Sequence, residues 1–434
     1  MRPFTSTISI EEARARLRDG VRPITRTERV PLDHAAGRVA ATDVAAGGYV
    51  PPFSRSAMDG YAVIASDTSA ASRPLPVVLT VVERVFTGQA PTRAIASGEC
   101  AEIATGAPLP EGADAVVMVE ETVPADSVSN GVSSGVSSGV SNGVPNGGPN
   151  AVSRSASSAV SVGITVAAAP GQNIGRRGAD ISPGDLVVRA GDFLNPSRIG
   201  AIAATGHADV EVFCRPRVAI LSTGNEVVEP GTPLARAQIY DVNRFTLGAV
   251  ITAHGGLAQP HPPARDTLES LEAALAACAG ADVMIFSGGS SVGERDLVLD
   301  LVERHGTMIF HGIAVRPGKP TAFALVKGVP FFGMPGNPTS CLSNAYILLV
   351  PFLRATARLP LYAPRTVVAP LGRRIVSQAG RHQFYTVRLR DGVALPAFKG
   401  SGEITSLSQA DGYIEIASDQ SEVEEREMVM VTLF

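Results

Sequence analysis

The sequence predicts a multidomain α/β protein: a doubly wound α/β domain, β-rich domains ahead of it, and a small β-barrel-like domain behind it. Three observations carry this reading. Strand and helix patterns alternate between about Arg215 and Arg358. Short β-branched runs punctuated by Gly and Pro fill roughly residues 29–174 and return in the tail. At 434 residues the chain also exceeds what one core organises, since a domain takes roughly 150 residues.

The elements follow in order. Ser9 before "IEEARARL" is a helix start, with a Glu three residues on and Ile10, Ala13 and Leu17 on one side. "LPVVLTVVERV" and "DAVVMVEET" are strands of a β-rich region. Within it, Ser127 to Asn150 repeats Gly-Val every four residues between Ser and Asn. Such a composition buries too little apolar surface to offset ordering entropy, so a flexible insertion is expected; a β-solenoid is disfavoured because period four matches neither a strand face nor a known coil.

Beyond Arg215, "RVAILSTG" and "ADVMIFSGG" are buried strands, and "NRFTLGAVITAHG" is a helix capped by Asn243. "RDTLESLEAALAACAG" is a helix with Leu268, Leu271, Leu275 and Cys278 at helical spacing. "RDLVLDLVERHG" is a helix, "TMIFHGIAV" and "VPFFGM" are strands, and "NPTSCLSNAYILLVPFL" is a last helix. This alternation means a mostly parallel sheet with helices on both faces. The tail, with "QFYTVRLRDG" and "MVMVTLF", reads as a small β domain. The expected domains are 1–50 with 165–214, an elongated linker region; 51–164, β-rich; 215–360, α/β; and 361–434, β.

Composition narrows the partners. The net charge of -4 comes from 37 basic and 41 acidic residues interspersed along the chain, which leaves no polybasic surface for nucleic acid or anionic lipid. A small-molecule or protein partner is expected. Cys100, Cys214, Cys278 and Cys341 stand far apart with no CxxC, so they read as reduced packing residues. The N-terminus has no signal-peptide core and no stretch reaches the roughly 18 apolar residues of a membrane span, so a cytoplasmic protein is expected.

In a doubly wound sheet, ligands sit at the carboxyl ends of the strands. Three motifs fall there: "LSTGNEVVEPG" with Glu226, "FSGGSSVGERD" with Asp296, and "FFGMPGNPTS" with Asn337 and Pro338 opening a helix. Gly288, Gly289 and Gly293 let a backbone turn expose its N–H groups, and the following helix start suits an anion. Asp296, in the first helical turn, is either a Mg²⁺ ligand beside a phosphate or a partner for the helix dipole. "VRPGKPTAFA" sets Arg316 and Lys319 on one rigid turn, which suits an oxyanion or is simply a solvated loop. Asp59, in "PPFSRSAMDGYAV", reads alone as a turn residue. The same holds for Thr105 in "ATGAPLPEGAD" and for Arg176, Arg177 and Asp180 in "NIGRRGADISPGD".

Taken in order, "PPFSRSAMDGYAV", "TGAPLPEGADAVV", "PGQNIGRRGADI", "LSTGNEVVEPG", "IYDVNRFTL", "SGGSSVGERD", "RPGKPTAFA" and "GMPGNPTS" resemble the molybdopterin molybdenumtransferase family, whose animal member is the C-terminal domain of gephyrin. The resemblance covers nearly the whole chain apart from the insertion. It implies a molybdopterin-binding α/β domain and a reaction that inserts molybdenum from molybdate into adenylyl-molybdopterin. That reaction depends on a divalent cation such as Mg²⁺ and releases AMP and molybdenum cofactor. It makes Asp59, Glu226, Asp266 and Asp296 the catalytic carboxylates, with Asp296 and Glu226 on the metal. It makes Thr105, Asp180, Gly288, Gly289, Ser291, Gly293, Arg316, Lys319, Asn337 and Ser401 substrate-binding residues, and the glycine-rich loop a phosphate cradle. It also implies a homodimer in which Asp59 serves the partner's site.

Two departures stand out. Members often have a Lys four residues before the first cation of the Pro-Gly turn, where this chain has Gly312 beside His311. Many carry Phe-x-Arg in the C-terminal domain, where this chain has "FYTVRL", so Thr386 replaces the Arg and Arg388 stands two residues along. Three rival readings remain: adenylylation of molybdopterin, against which the chain's length beyond an α/β domain and its Asp59 motif argue; scaffolding, which needs none of the four carboxylates present here; and tungsten, whose oxyanion shares molybdate's charge and shape.

Overall fold

Ser9 starts the first helix, α1 (Ile10–Gly20), by accepting a hydrogen bond from the Glu12 N–H at 3.1 Å, which satisfies one of the donors a helix start leaves open. Its apolar face, Ile10, Ala13 and Leu17, is buried in a core shared with Val218, Ile220 and Leu247. The computed structural model describes residues 7–129, 160–288, 297–377 and 379–434. They form two compact units, Met1–Asp43 with Arg189–Ile199 and Ala208–Phe434, and Val44–Val188 with Gly200–His207. Strand β1 (Thr27–Pro31) belongs to the first unit.

The second unit is built on a six-stranded sheet. Its strands are β2 (Gly60–Val63), β3 (Val77–Val85), β4 (Glu99–Ile103), β5 (Ala115–Met118), β6 (Thr122–Pro124) and β7 (Ser161–Ile164), in the order β5-β2-β4-β3-β7-β6. Successive side chains alternate between faces. Val63 and Val117 therefore enter one apolar cluster, with Leu79 and Ile164, and Ala62 and Val116 another, with Ile103 and Val85, which the bulge between Val81 and Glu83 turns to the face opposite Leu79. Helix α2 (Ala125–Ser129) follows β6, so the first residues of the expected insertion, 127–129, end a helix; residues 130–150 lie outside the described residues.

In the first unit β1 pairs antiparallel with β8 (Asp209–Phe213). The α/β sheet then follows: β9 (Arg217–Ser222), α3 (Asn243–Ala253), β10 (Leu257–Pro260), α4 (Leu268–Ala277), β11 (Val283–Ser287), α5 (Leu297–His305), β12 (Gly306–His311), β13 (Ala322–Val326) and β14 (Val329–Met334). The order is β10-β9-β11-β14-β13-β12, parallel through β14 and antiparallel at β13 and β12. Helices α6 (Pro338–Asn344) and α7 (Val350–Thr356) join through a π-helical turn at Ala345–Leu349. One face of the sheet packs Leu247, Ile251, Leu348 and Leu353, the other Leu271, Leu275, Val298 and Leu301. With both faces covered, β9, β11 and β14 are apolar almost throughout, as their sequences require.

Two expectations need correction. Sequence reading passed over β13, because its residues sit in the motif valued for its cations. It is set by the Lys327–Gly328 turn, where both residues have positive φ (51° and 78°), the geometry of a tight hairpin. Asn243 does not cap α3. It is the helix's first residue, and Asp241 Oδ1 accepts from the Arg244 N–H at 3.0 Å instead.

The C-terminal sheet runs from the two-residue strand Val315–Arg316 through β16 (His382–Arg390), β18 (Gly412–Ile416) and β19 (Met428–Leu433) to β15 (Thr366–Pro370), with β17 (Val393–Pro396) also paired to β16. Alternation buries Val387, Ala394, Ile414 and Val431 in one interior. All four cysteines are free; burial pushes the Cys100 thiol up to about 12 and Cys278 to about 11, so neither carries a thiolate at neutral pH. Among the described residues no helix is long and apolar enough to cross a membrane.

Candidate active site

Strands β9, β11 and β14 end side by side, and the loops leaving them wall a cleft of about 1250 Å³. Its floor is a polar network. Asp241 Oδ1 accepts from Ser222 Oγ at 2.8 Å as well as from Arg244 N, while Asn243 Nδ2 donates to Ser287 Oγ (3.2 Å) and Gly336 O (2.8 Å). Two side chains, two residues apart, thus tie the ends of three strands together. Both are almost fully buried, with exposures of 3% for Asp241 and 6% for Asn243. Among the described residues, Asp241 Oδ2, Asn243 Oδ1 and Thr223 Oγ1 are buried with no hydrogen-bond partner. Arg244 Nε stands 4.0 Å from Asp241 Oδ2, and its Nη1 donates to Glu229 at 2.6 Å.

Backbone conformation fixes two parts of the wall. Gly288 has φ +101°, and a Cβ there would fall 2.3 Å from Thr223 O, so only glycine lets β9 and β11 approach at their ends. Gly318, in the turn carrying Arg316 and Lys319, has φ +105° and lies against Asn344. The buried Asn344 amide donates to Gly318 O at 2.9 Å and to Thr321 Oγ1, so the turn is held from inside.

Acid gathers on one side. Glu226, exposed, and Asp266, half-buried, both line the cleft. Burial and the neighbouring Glu226 charge raise the Asp266 carboxyl above the ordinary aspartate range, although the Asn225 hydrogen bond works the other way. Among the described residues, Asp266 Oδ1 is buried without a hydrogen-bond partner. Among the described residues no three His, Cys, Asp or Glu side chains form a metal-binding group. Gly289, Ser291, Gly293 and Asp296 lie outside the described residues.

Cations gather on the other. Arg316, Lys319, Arg381 and Lys399 line the cleft, and Ser401 Oγ accepts from Asn337 Nδ2 at 3.2 Å, joining two residues singled out from sequence. Arg388, which stands two residues along from the missing basic position, is not among the residues lining the cleft; its guanidinium donates to Gln409 O (2.7 Å) and Gln409 Oε1 (3.2 Å). Thr386 is buried. Gly312 has φ +93°, a conformation in which a lysine would be strained.

Asp59, Thr105 and Asp180 belong to the other unit. Asp59 Oδ1 accepts from the Thr105 N–H at 2.7 Å, and that bond holds its carboxyl below the usual range. Asp180 is exposed, with its N–H donating to Val50 O at 3.0 Å.

Sequence reasoning missed Asp241, Asn344, Arg381 and Lys399 as site residues. For Asp241 a signal existed: an Asp three residues before the first turn's Arg244 is helix-cap spacing. A lone Arg and a lone Lys beside strands carry no such signal.

The chain matches three consecutive family models: the MoeA N-terminal region (domain I and II) over residues 8–206, the probable molybdopterin binding domain over 219–355, and the MoeA C-terminal region (domain IV) over 368–434. A Mycobacterium tuberculosis protein named molybdopterin molybdenumtransferase 2 is 34% identical over 415 residues, spanning 93% of this chain and 93% of its own. The chain belongs to the MoeA family of molybdopterin molybdenumtransferases. A Haemophilus influenzae molybdopterin molybdenumtransferase is also 34% identical, covering 80% of this chain and 77% of its own. The crystal structure of a molybdopterin biosynthesis MoeA protein from Pyrococcus horikoshii, 37% identical, superposes with a TM-score of 0.78 over 99% of both chains. In MoeA terms, the cleft has its floor in the probable molybdopterin binding domain and one wall from the C-terminal region.

Proposed function

We propose that this enzyme, a transferase of molybdenum cofactor biosynthesis, inserts molybdenum from molybdate into adenylyl-molybdopterin and releases AMP. The observation that carries the reading is the division of the cleft, with carboxylates at the strand ends and cations on the opposing loops. A substrate bearing a pyrophosphate link needs cation help beside carboxylates, and a second, oxyanionic substrate needs positive charge.

Glu226 and Asp266 fit a divalent cation: a buried, unpartnered Asp266 oxygen beside a second carboxylate is what a hard ion relieves. Asp296 is assigned to the same ion from the family resemblance. Mg²⁺ there would neutralise phosphate oxygens and ease departure of the AMP phosphate. Gly288 brings main chain against the phosphates, the Asp241–Asn243 network keeps the strand ends in register, and Arg316, Lys319 and Ser401 hold the oxyanion. The homodimer, the parts of Asp59, Thr105 and Asp180, the four-domain division and a cytoplasmic setting belong to the same proposal.

The test is turnover of adenylyl-molybdopterin with Mg²⁺ and molybdate, following AMP by chromatography and molybdenum in the product. The expected result is one AMP per molybdenum inserted, abolished by chelator. AMP release indifferent to molybdate, or synthesis of adenylyl-molybdopterin from ATP, would overturn the reading.

A further inference from the structure

We infer that a second cavity, walled by Arg26, Arg38, Arg215 and Arg217 beside Cys214, is a binding site for a phosphate monoester with an apolar body. It lies at the far end of the α/β sheet from the cleft. Arg217 begins β9 and pairs in parallel with Leu257, the first residue of β10, whereas Ser222, at the other end of β9, belongs to the cleft floor. The length of β9, about 16 Å, separates the two, so the cavity is no extension of the cleft.

The pairing of β1 with β8 builds one wall. Just past it the Cys214 N–H donates to Arg26 O at 2.9 Å, which sets thiol and guanidinium side by side where the two strands meet. Arg26 is committed, through two 2.7 Å bonds to Asp282, with the Cys214 sulfur as a lesser partner. Asp282 Oδ2 also accepts from the Arg217 N–H at 2.7 Å. Arg217 Nε, 3.8 Å from that oxygen, is buried with no hydrogen-bond partner among the described residues.

Arg38 carries the strongest signal. Its side chain is 8% exposed, and its Nη2 donates to Glu28 Oε1 and, at 2.8 Å, to Phe213 O. Nε and Nη1 make no bond among the described residues, and a buried guanidinium with idle donors is a group that an anion relieves. Arg215 is exposed, and among the described residues its side chain has neither an ion pair nor a hydrogen bond. With Glu28 taken by Arg38 and Asp282 by Arg26, Asp33 is the uncommitted carboxylate on the wall, set against the forks of Arg215 and Arg217. Guanidinium forks bind phosphate oxygens in pairs, so several on one wall suit a dianion.

The remaining wall selects the body of the ligand. Val30, Ala36 and Leu257 line the same cavity, and Leu257 stays 50% exposed although it belongs to a strand. An apolar group seated there removes that surface from water. At about 730 Å³ the space is of the size that small ligands occupy.

Cys214 reports occupancy without any turnover. It is half-buried, while Cys100, Cys278 and Cys341 are buried, so in the folded full-length protein iodoacetamide should alkylate Cys214 first, as read by peptide mass spectrometry. Phenyl phosphate at about 5 mM should slow that alkylation at least about threefold, the protection that a Kd of about 2 mM gives. Inorganic phosphate should protect less, because it offers nothing to Leu257. Arg215→Glu, which breaks no contact, should abolish the protection while unliganded alkylation stays within about twofold of wild type. Arg316→Ala, which alters the cleft alone, should leave the protection intact. Alkylation unchanged by phenyl phosphate overturns the inference, as does protection that Arg215→Glu retains, that Arg316→Ala removes, or that potassium chloride of equal ionic strength reproduces. Equal protection by inorganic phosphate overturns the assignment of an apolar body. The readout involves neither molybdate nor AMP release, so its outcome is separate from that of the transferase reading.

Discussion

The two walls of the cleft are built on opposite terms. On the sheet side, Asp241 and Asn243 are almost wholly buried and each holds two partners, so their positions are over-determined by the strands they join. On the loop side, Lys399 is exposed and Ser401 is held to Asn337 by one 3.2 Å bond. The difference teaches how the site divides its tasks. Buried polar groups fix geometry and are costly to disturb, because a lost partner leaves an unsatisfied group in a low-dielectric interior. Exposed groups set charge and cost the fold little, because water replaces whatever is removed.

The strongest challenge to this contrast is Asp241→Ala. The substitution leaves the Ser222 hydroxyl and the Arg244 N–H without their acceptor and removes the carboxylate oxygen 4.0 Å from Arg244 Nε. A loss of about 3 kcal/mol in urea unfolding is expected, together with loss of turnover. A cost below about 1 kcal/mol would show that the floor is held by the strands alone and that the two walls do not differ in kind.

Asp266 tests the boundary between the walls, since it is half-buried, lines the cleft and is proposed to hold the divalent cation. Its carboxyl is raised above the unfolded value by burial and by Glu226, so the folded state holds a proton more tightly than the unfolded chain does. The sign follows: stability from this group is greatest at pH values below the unfolded pKa and declines as pH rises through the folded one. Asp266→Asn should therefore flatten the stability profile in the window above the ordinary aspartate range and leave the protein no less stable at pH 7, while cutting turnover at least about tenfold. Unfolding profiles that coincide between pH 4 and 7 would show that the carboxyl is not held in a strained state.

Much of this is legible in the sequence, for reasons particular to each element. Ser9 and Glu12 carry a local signal, a cap and its partner, and α1 begins where they stand. The runs behind β9, β11 and β14 are apolar because both sheet faces are covered, and that needs no long-range knowledge to recognise. Strand β13 was hidden by a conflict of readings, since its residues follow two prolines and a glycine that announce a loop. Asp241 carried one local signal, its cap spacing to Arg244, but its tie to Ser222, nineteen residues away, is one that no spacing rule supplies. Arg381 and Lys399 were invisible for the same reason in stronger form. Their meaning comes from a parallel pairing between Val315–Arg316 and His382–Gln383, a contact between segments that sequence reading assigned to separate domains.

The smallest effect on the fold is expected at Ser401, and it sharpens the contrast most cleanly. Its hydroxyl accepts one 3.2 Å bond from Asn337 Nδ2, and the Thr339 N–H donates separately to the Ser401 carbonyl at 3.2 Å. Ser401→Ala keeps that main-chain bond and frees the Asn337 amide to solvent, so stability should change by no more than about 0.5 kcal/mol. With its oxygen accepting from Asn337, the hydroxyl's own hydrogen is the one left to donate to the proposed oxyanion, and losing one neutral donor should raise half-saturating molybdate about threefold to tenfold. Ser401→Thr keeps the hydroxyl and should restore most of that loss. A stability change above about 1.5 kcal/mol with molybdate dependence unaltered would place Ser401 among the groups that build the cleft rather than those that charge it, and the loop wall would then resemble the sheet wall after all.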